Sequence, residues 1–170
     1  MKESSYLQGR MDLVEKFKNI PFLKAFPEEH IHAILHLSRM RKYEPGEEII
    51  SEGSEDRWIY VIVIGAVKVY KQDKEVAALD KVGDVFGEMA ILESGVRSAT
   101  VRASKETVCL AFDVAHLDSM DFPDLGAFYV IFYRMLAELL ANRLRFATEE
   151  LAKHKGKLEL MEFFIEQRWY

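Results

Sequence analysis

The chain has 170 residues, 49% of them hydrophobic and 30% charged, and a formal net charge of −5. That length supports one domain with appendages and a real core, and the acidic balance argues against a nucleic-acid-binding face as the dominant surface. A single cysteine, Cys109, excludes an intrachain disulfide and a cysteine-based zinc or iron–sulfur centre.

The N-terminus, Met-Lys-Glu-Ser-Ser, has no apolar core of a signal peptide. The apolar stretches read as interrupted short of a membrane span, so a cytoplasmic protein with no membrane partner is expected. Leu7, Met11, Val14 and Phe17 stand near helical spacing and predict an amphipathic helix over Tyr6–Ile20, stopped by Pro21. Pro27 with Glu28 and Glu29 behind it signals a helix start. Ile31, Ile34, Leu35 and Leu37 give that second helix its apolar side. His32 and His36, four apart, have a spacing that suits a metal, but no third ligand accompanies them and no metal site is expected.

From Met40 the apolar period becomes two. Tyr43 to Ile50 reads as strand, Pro45-Gly46 turn, strand, and Glu52 to Asp56 as the next turn. Trp58–Ile64 is a buried strand, Gly65 a tight turn, and Val67–Tyr70 an alternating strand. Lys71 to Lys74 reads as a polar loop before a strand over Val76–Leu79. Further strands are expected over Ala99–Ala103 and Thr107–Phe112. Short strands at regular spacing with turn punctuation mean a sandwich or barrel.

Val114–Met120 predicts a short helix, and Asp121-Phe122-Pro123-Asp124 restarts the chain into a long one. Val130, Tyr133, Ala137, Leu140, Leu144, Ala147 and Leu151 alternate three and four apart, a coiled-coil seam. Phe128, Phe132, Met135 and Leu139 form a stripe on roughly the opposite side. A helix apolar on two sides needs two partners: the β domain, and most economically the same helix of a second copy. The other arrangement is a monomer whose N-terminal helix covers the seam. Gly156 is expected to end the helix, among Lys153, Lys155 and Lys157. Leu158, Met161, Phe164, Ile165 and Trp169 then form an apolar tail, either an effector contact or a segment folded back on its own dimer.

Between the third and fourth of the strands after Trp58 lies the stretch Gly83 to Val101. Gly87 is a backbone release point, and Glu88–Leu92 suits one turn of helix, whose start offers unpaired N–H groups to an anion. Arg97 follows a Gly95-containing loop and is the only cation between Lys81 and Arg102. Its fork suits a phosphate, Ser98 adds a hydroxyl, and a carboxylate such as Glu88 accepts from sugar hydroxyls. An acid, a helix start and an arginine on one compact loop fit a small ribose phosphate.

Phe86-Gly87-Glu88-Met89-Ala90-Ile91-Leu92 and Arg97-Ser98-Ala99-Thr100-Val101 resemble the phosphate-binding cassette of cyclic-nucleotide-binding domains. That superfamily includes the catabolite activator and FNR regulators and the protein kinase A regulatory subunits. The resemblance runs from about Phe22 to Leu151. It implies an α+β, mainly β fold: a double-stranded β-helix (a jelly-roll-like β-roll) with N-terminal helices and a long C-terminal helix. It implies a ligand, cAMP or cGMP, and no cofactor. Glu88 would accept from the ribose 2′-hydroxyl and Arg97 would pair with the exocyclic phosphate. Gly87, Met89, Ala90, Ile91, Ser98 and Ala99 would complete the cradle. Thr148 is the candidate for contact with the base, whereas Ala147 has no polar atom to offer one. Serine at position 98 leans the reading to cAMP.

The expected organisation is a helical lead-in over 1–38, the β-roll over 39–113, hinge and long helices over 114–155, and an amphipathic tail over 156–170. The chain ends too soon for the winged helix-turn-helix of the regulators, so DNA is not an expected partner. A homodimer through residues 124–155 and a protein effector are. No nucleophile–base set or metal triad stands out, so no enzymatic activity is expected. The competing readings are the sensor half of a transcription regulator, a haem-type sensor through His116 or Cys109, and a dimeric module with a degenerate pocket.

Overall fold

Period-two segments from Ser38 to Asp113 build two antiparallel sheets in the computed structural model, which describes residues 1–7, 15–92, 95–119 and 125–167. The strands are β1 (Lys2–Tyr6), β2 (Ser38–Tyr43), β3 (Glu48–Ile50), β4 (Trp58–Ile64), β5 (Val67–Lys71), β6 (Lys74–Leu79), β7 (Val85–Phe86), β8 (Thr100–Ala103) and β9 (Thr107–Asp113). One sheet has five strands in the order β1-β2-β9-β4-β7, the other four in the order β3-β8-β5-β6. Neighbours in space are mostly distant in sequence, the crossed topology of a β-roll. The expected α+β, mainly β class is the one observed.

The register sets which side chains face inward. Tyr60 pairs with Ala111 and Ile62 with Cys109 across β4 and β9, and Tyr60 pairs with Phe86 across β4 and β7. Directly opposed residues share a face. Those five meet Ile50, Val67 and Val101 of the second sheet in one apolar core. Alternate residues Ile59, Val61, Leu110 and Phe112 point the other way and are also buried. Strands β4 and β9 are therefore sealed on both sides, which is why they read as nearly continuous apolar runs. Full burial of each such side chain stabilises by about 1.5–3 kcal/mol. Burial pushes the Cys109 thiol up to about 12, which suits packing and not reactivity.

Helix α1 (Glu28–His36) begins after Pro27, with Glu28 and Glu29 in its first turn. Ile31, Ile34, Leu35 and Leu37 are buried as the spacing predicts, together with His30 and Ala33. His32 and His36 are half-buried, and among the described residues no group of three or more His, Cys, Asp or Glu side chains is placed to hold a metal. The turns at Pro45-Gly46 and Gly65 fall where read, but they carry the chain from one sheet to the other and close no hairpin, since β2 and β4 lie in the five-stranded sheet and β3 and β5 in the four-stranded one. The segment 71–74 is no open loop: β5 and β6 pair up to Lys71 and Lys74. Gln72 and Asp73 adopt φ of 49° and 61° to turn between them, as a two-residue hairpin turn requires.

The N-terminus departs from expectation. Tyr6 belongs to strand β1, not to a helix; Glu3 pairs with Arg41 and Tyr6 with Arg39 of β2. Residues 15–17 are helical, while Met11 and Val14 lie outside the described residues. Leu7 and Phe17 are buried. The first residues carry no helical stripe of their own, and the open edge of β2 offers their backbone a ladder of hydrogen bonds.

Val114–Ser119 is a 3₁₀ helix; Met120 and the restart 121–124 lie outside the described residues. Helix α2 is the single turn Met89–Leu92. The long helix α3 spans Leu125–Gln167. It runs through Gly156, so the expected stop is absent. An interior glycine costs about 1 kcal/mol relative to alanine, and the helix-forming lysines, leucines and glutamates on either side outweigh that. The tail from Leu158 is a continuation of α3 as far as Gln167, and Trp169 lies outside the described residues.

The chain divides into two compact units, Met1–Phe128 and Tyr129–Tyr170. In the first, Phe128 is fully buried, with its ring 5.6 Å from Phe26 and 5.5 Å from His30. In the second, Phe132 and Leu136 are fully buried while Met135 and Leu139 are half-buried, so the stripe follows steps of four from Phe128. The predicted seam is open: Val130 and Leu144 are each 70% exposed, and Tyr133, Ala137, Ala147 and Leu151 are exposed with them. Within Leu125–Lys155 an 18-residue window reaches a mean hydropathy of 1.2, so the helix is long and apolar enough, by length and composition only, to cross a membrane. This corrects the expectation that every apolar stretch is interrupted. Arg134 and Glu138 pair with each other at 2.9 Å on the helix surface and do not break it.

Candidate functional site

Every candidate residue of the cassette falls on the segment between β7 and β8. Gly87 leaves β7 with φ of +84°. That region of backbone favours glycine, and space enforces the choice. A Cβ there would stand 2.6 Å from Arg97 Nη1 and 2.8 Å from the Trp58 carbonyl oxygen. Glu88 follows and is 2% exposed. Its carbonyl accepts from the Ile91 N–H at 3.0 Å, closing the turn of α2. Ala90 and Ile91 are buried beneath that turn while Met89 is exposed. Ser98 and Ala99 are half-buried. Ser98 Oγ lies 3.4 Å from Met89 Sδ, and its carbonyl accepts from Lys71 at 2.7 Å.

Arg97 crosses back to the start of the cassette. Its side chain is 2% exposed, and four hydrogen bonds hold it. Nη1 donates to the Gly87 carbonyl at 2.7 Å and Nη2 to the Trp58 carbonyl at 2.7 Å. Nε donates to Asp56 Oδ2 at 3.1 Å, and Nη2 also donates to Asp56 Oδ1. A guanidinium has five N–H donors in a fixed fork, so a buried arginine here is nearly satisfied by protein alone. Backbone bonds clamp its position. The Arg97 N–H donates to Ser54 O and the Gly53 N–H donates to Arg97 O, both at 2.8 Å.

Asp56 is the residue that sequence reasoning missed. It was read as part of a turn, and its carboxylate is in fact the bidentate partner of Arg97, besides accepting from the Trp58 N–H at 3.0 Å. No local pattern marks it, because the pairing spans 41 positions. Tyr60 was likewise read only as core. Its ring stacks on Phe86 at 5.0 Å, and the Arg97 guanidinium carbon lies 6.0 Å from its centre. Burial pushes the Tyr60 hydroxyl above its ordinary value; Asp56 adds to that, and Arg41 and Arg97 oppose it.

The arrangement is one buried cation bonded to an aspartate and two backbone carbonyls, with the buried Glu88 next to Gly87 in the chain, ahead of a one-turn helix. It can recognise an anion that also carries hydroxyl donors, because Arg97 answers the first requirement and Glu88 the second. Thr148 stands on α3 in the second unit, where its hydroxyl donates to the Leu144 carbonyl of its own helix at 2.8 Å. His116 bonds through Nδ1 to Asp113 at 2.8 Å.

The comparisons with known proteins agree with this geometry. The family described as the cyclic nucleotide-binding domain matches residues 40–121. The chain is 36% identical over 106 residues to the cAMP-dependent protein kinase type II regulatory subunit of Drosophila melanogaster, covering 62% of this chain and 28% of that one. It is 29% identical over 149 residues to a cGMP-dependent protein kinase of Eimeria tenella, covering 85% of this chain and 14% of that one. The chain thus spans well under half the length of these two relatives. A crystal structure of a cyclic nucleotide-binding domain from Methylobacillus flagellatus shares its fold with a TM-score of 0.67 at 21% identity, covering 85% of this chain and 91% of that one. Strand order and family match converge, and residues 40–121 belong to the cyclic nucleotide-binding domains.

Proposed function

We propose that this chain is a receptor for a cyclic mononucleotide, cAMP in preference to cGMP, that signals to another protein and catalyses no reaction. The observation that carries the reading is the buried Arg97 lodged on the Gly87 carbonyl, with Glu88 next in the chain. The phosphate takes Arg97 and the N–H groups at the start of α2, and the ribose 2′-hydroxyl donates to Glu88. Four of the fork's donors already have protein acceptors, so a phosphate gripped by two of them displaces Asp56 or a carbonyl. Ligand entry therefore rearranges the acceptors around Arg97: Asp56, or the Gly87 or Trp58 carbonyl. A ligand shifts such an equilibrium only by its differential affinity for the two arrangements. Ser98, half-buried beside α2, supports the preference for cAMP.

The test is a thermal-shift titration with cAMP and cGMP. A ligand that binds only the folded state stabilises by about 2.7 kcal/mol at a hundredfold excess over Kd. A dose-dependent rise with cAMP, larger than with cGMP at equal concentration, is expected. No rise with either at saturating ligand would overturn the reading. That outcome would favour a second one, a module whose pocket is closed by its own Arg97–Asp56 pair.

The exposed seam of α3 supports a homodimer through residues 124–155. An apolar face of this length left in water is unfavourable, and a two-fold copy of the same helix matches it. Sedimentation should show a dimer that Leu144→Glu converts to monomer. A monomeric wild type at micromolar concentration would refute it.

A further inference from the structure

Strand β1 sits at the edge of the five-stranded sheet, laddered on one side only, to β2, and a few bonds outside that ladder tie it down as well. The Leu7 N–H donates to Ser38 O at 3.0 Å, the Met40 N–H donates to Ser4 Oγ at 3.0 Å, and the terminal ammonium pairs with Glu47. Its register with β2 shifts between Glu3 and Tyr6. Short edge strands of this kind open more readily than the core.

Glu3 connects this strand to the inside of the roll. Its carboxylate accepts from Arg39 Nη1 and, at 2.5 Å, from Arg41 Nε. The Arg41 side chain is 13% exposed. Its guanidinium carbon lies 4.0 Å from the centre of the Trp58 ring, and its Nη1 donates to Tyr60 Oη at 2.8 Å. Tyr60 in turn stacks on Phe86, the residue before Gly87, and its ring centre is 6.0 Å from the Arg97 guanidinium carbon. A contiguous line of side chains thus joins Glu3 to the cassette through Arg41 and Tyr60.

The electrostatics make Glu3 the removable end of that line. Burial disfavours the charge on Arg41, and Glu3 is among the groups that offset it, with Tyr60 and Tyr43. Burial also works against ionisation of Glu3, but the hydrogen bonds and charges of Arg39 and Arg41 outweigh it and hold its carboxyl below the ordinary range. A partly desolvated guanidinium that loses its counter-charge moves toward water. Arg41 would then withdraw from Tyr60, and the ring would lose the bond that fixes its outer end.

We propose that strand β1 is a second, intramolecular input to the cassette. Glu3 is a positioning residue: docked, it holds Arg41 against Trp58 and Tyr60, and so sets the Tyr60 ring against which Phe86 and Arg97 are placed. The ligand side of this inference rests on the cyclic nucleotide reading above, and the side-chain geometry does not.

Two measurements test it. The first is calorimetric titration with cAMP of wild type, Glu3→Gln, Tyr60→Phe and the double variant. Glu3→Gln should weaken binding by about threefold to thirtyfold, the range of coupling mutations that touch no ligand. Tyr60→Phe keeps the ring and loses the hydroxyl, so Glu3→Gln should add nothing in that background. Arg41→Lys keeps the charge but cannot span Glu3 and Tyr60, and should match Glu3→Gln. The second measurement is hydrogen exchange without ligand. Glu3→Gln should speed exchange in segments 53–58 and 95–101, which carry the Arg97–Ser54 and Gly53–Arg97 bonds. Additive effects of Glu3→Gln and Tyr60→Phe overturn the proposal, as does wild-type affinity with wild-type exchange. If wild type binds neither cAMP nor cGMP, the receptor reading fails, and the exchange result alone decides the coupling.

Discussion

Arg97→Ala is expected to weaken cyclic nucleotide binding by at least about a hundredfold. A charge-assisted hydrogen bond contributes about 1.5–3 kcal/mol, and a tenfold change in affinity corresponds to about 1.4 kcal/mol, so a phosphate that loses two such bonds passes that mark. The same substitution reaches the protein itself. It leaves Asp56 without its bidentate partner and removes a donor from each of the Gly87 and Trp58 carbonyls. A buried acceptor left unsatisfied costs about 1–3 kcal/mol, so the melting temperature should fall as well. Titration at a temperature where circular dichroism shows the variant folded separates the two effects. Arg97→Lys, which keeps the charge and loses the fork, should recover part of the stability and little of the affinity. Wild-type affinity in a folded Arg97→Ala protein would remove Arg97 from the site.

Gly87→Ala is expected to cost both stability and binding. The residue holds φ of +84°, which strains an L side chain by about 1–3 kcal/mol. The new methyl would also stand 2.8 Å from the Trp58 carbonyl oxygen and 2.6 Å from Arg97 Nη1. The guanidinium would have to leave its cradle to make room. For a chain of this size each kcal/mol lowers the melting temperature by about 2–4 °C, and affinity for cAMP should drop at least about tenfold. Gly46→Ala is the matched control. Gly46 has nearly the same φ, +82°, but nothing lies within 4 Å of its Cβ position. It should show the backbone strain and keep its affinity. Equal losses in both variants would mean that the collision with Arg97 carries no part of the effect.

The β domain was legible where its signals are local. Strand β4 matches the apolar run Trp58–Ile64, because a strand buried on both faces must be apolar at every step. The Pro45-Gly46 turn and the helix start at Pro27 follow from backbone chemistry at single residues. The cassette was legible for the same reason. A glycine, an acid, a one-turn helix and an arginine lie within eleven residues of one another, from Gly87 to Arg97. The short strand β7 was not separable from the cassette, since two residues carry no period. The helix stop at Gly156 was a local signal that a long run of helix formers overrode.

By itself the sequence determined the class of fold, the turns, the apolar seam on α3 and the one-turn helix between Gly87 and Arg97. Each depends on residue types at spacings of one to about a dozen positions, and backbone sterics and side-chain periodicity act over that range. Only the tertiary structure decided what those residues touch. Asp56 is the partner of Arg97 across 41 positions, and Glu3 is the partner of Arg39 and Arg41 across 36 and 38. Strand β1 exists because the edge of β2 is open to receive it. An ion pair or an edge strand is selected by which groups folding leaves side by side and short of a partner, and that depends on the crossed order of the strands more than on any stretch of the chain read alone.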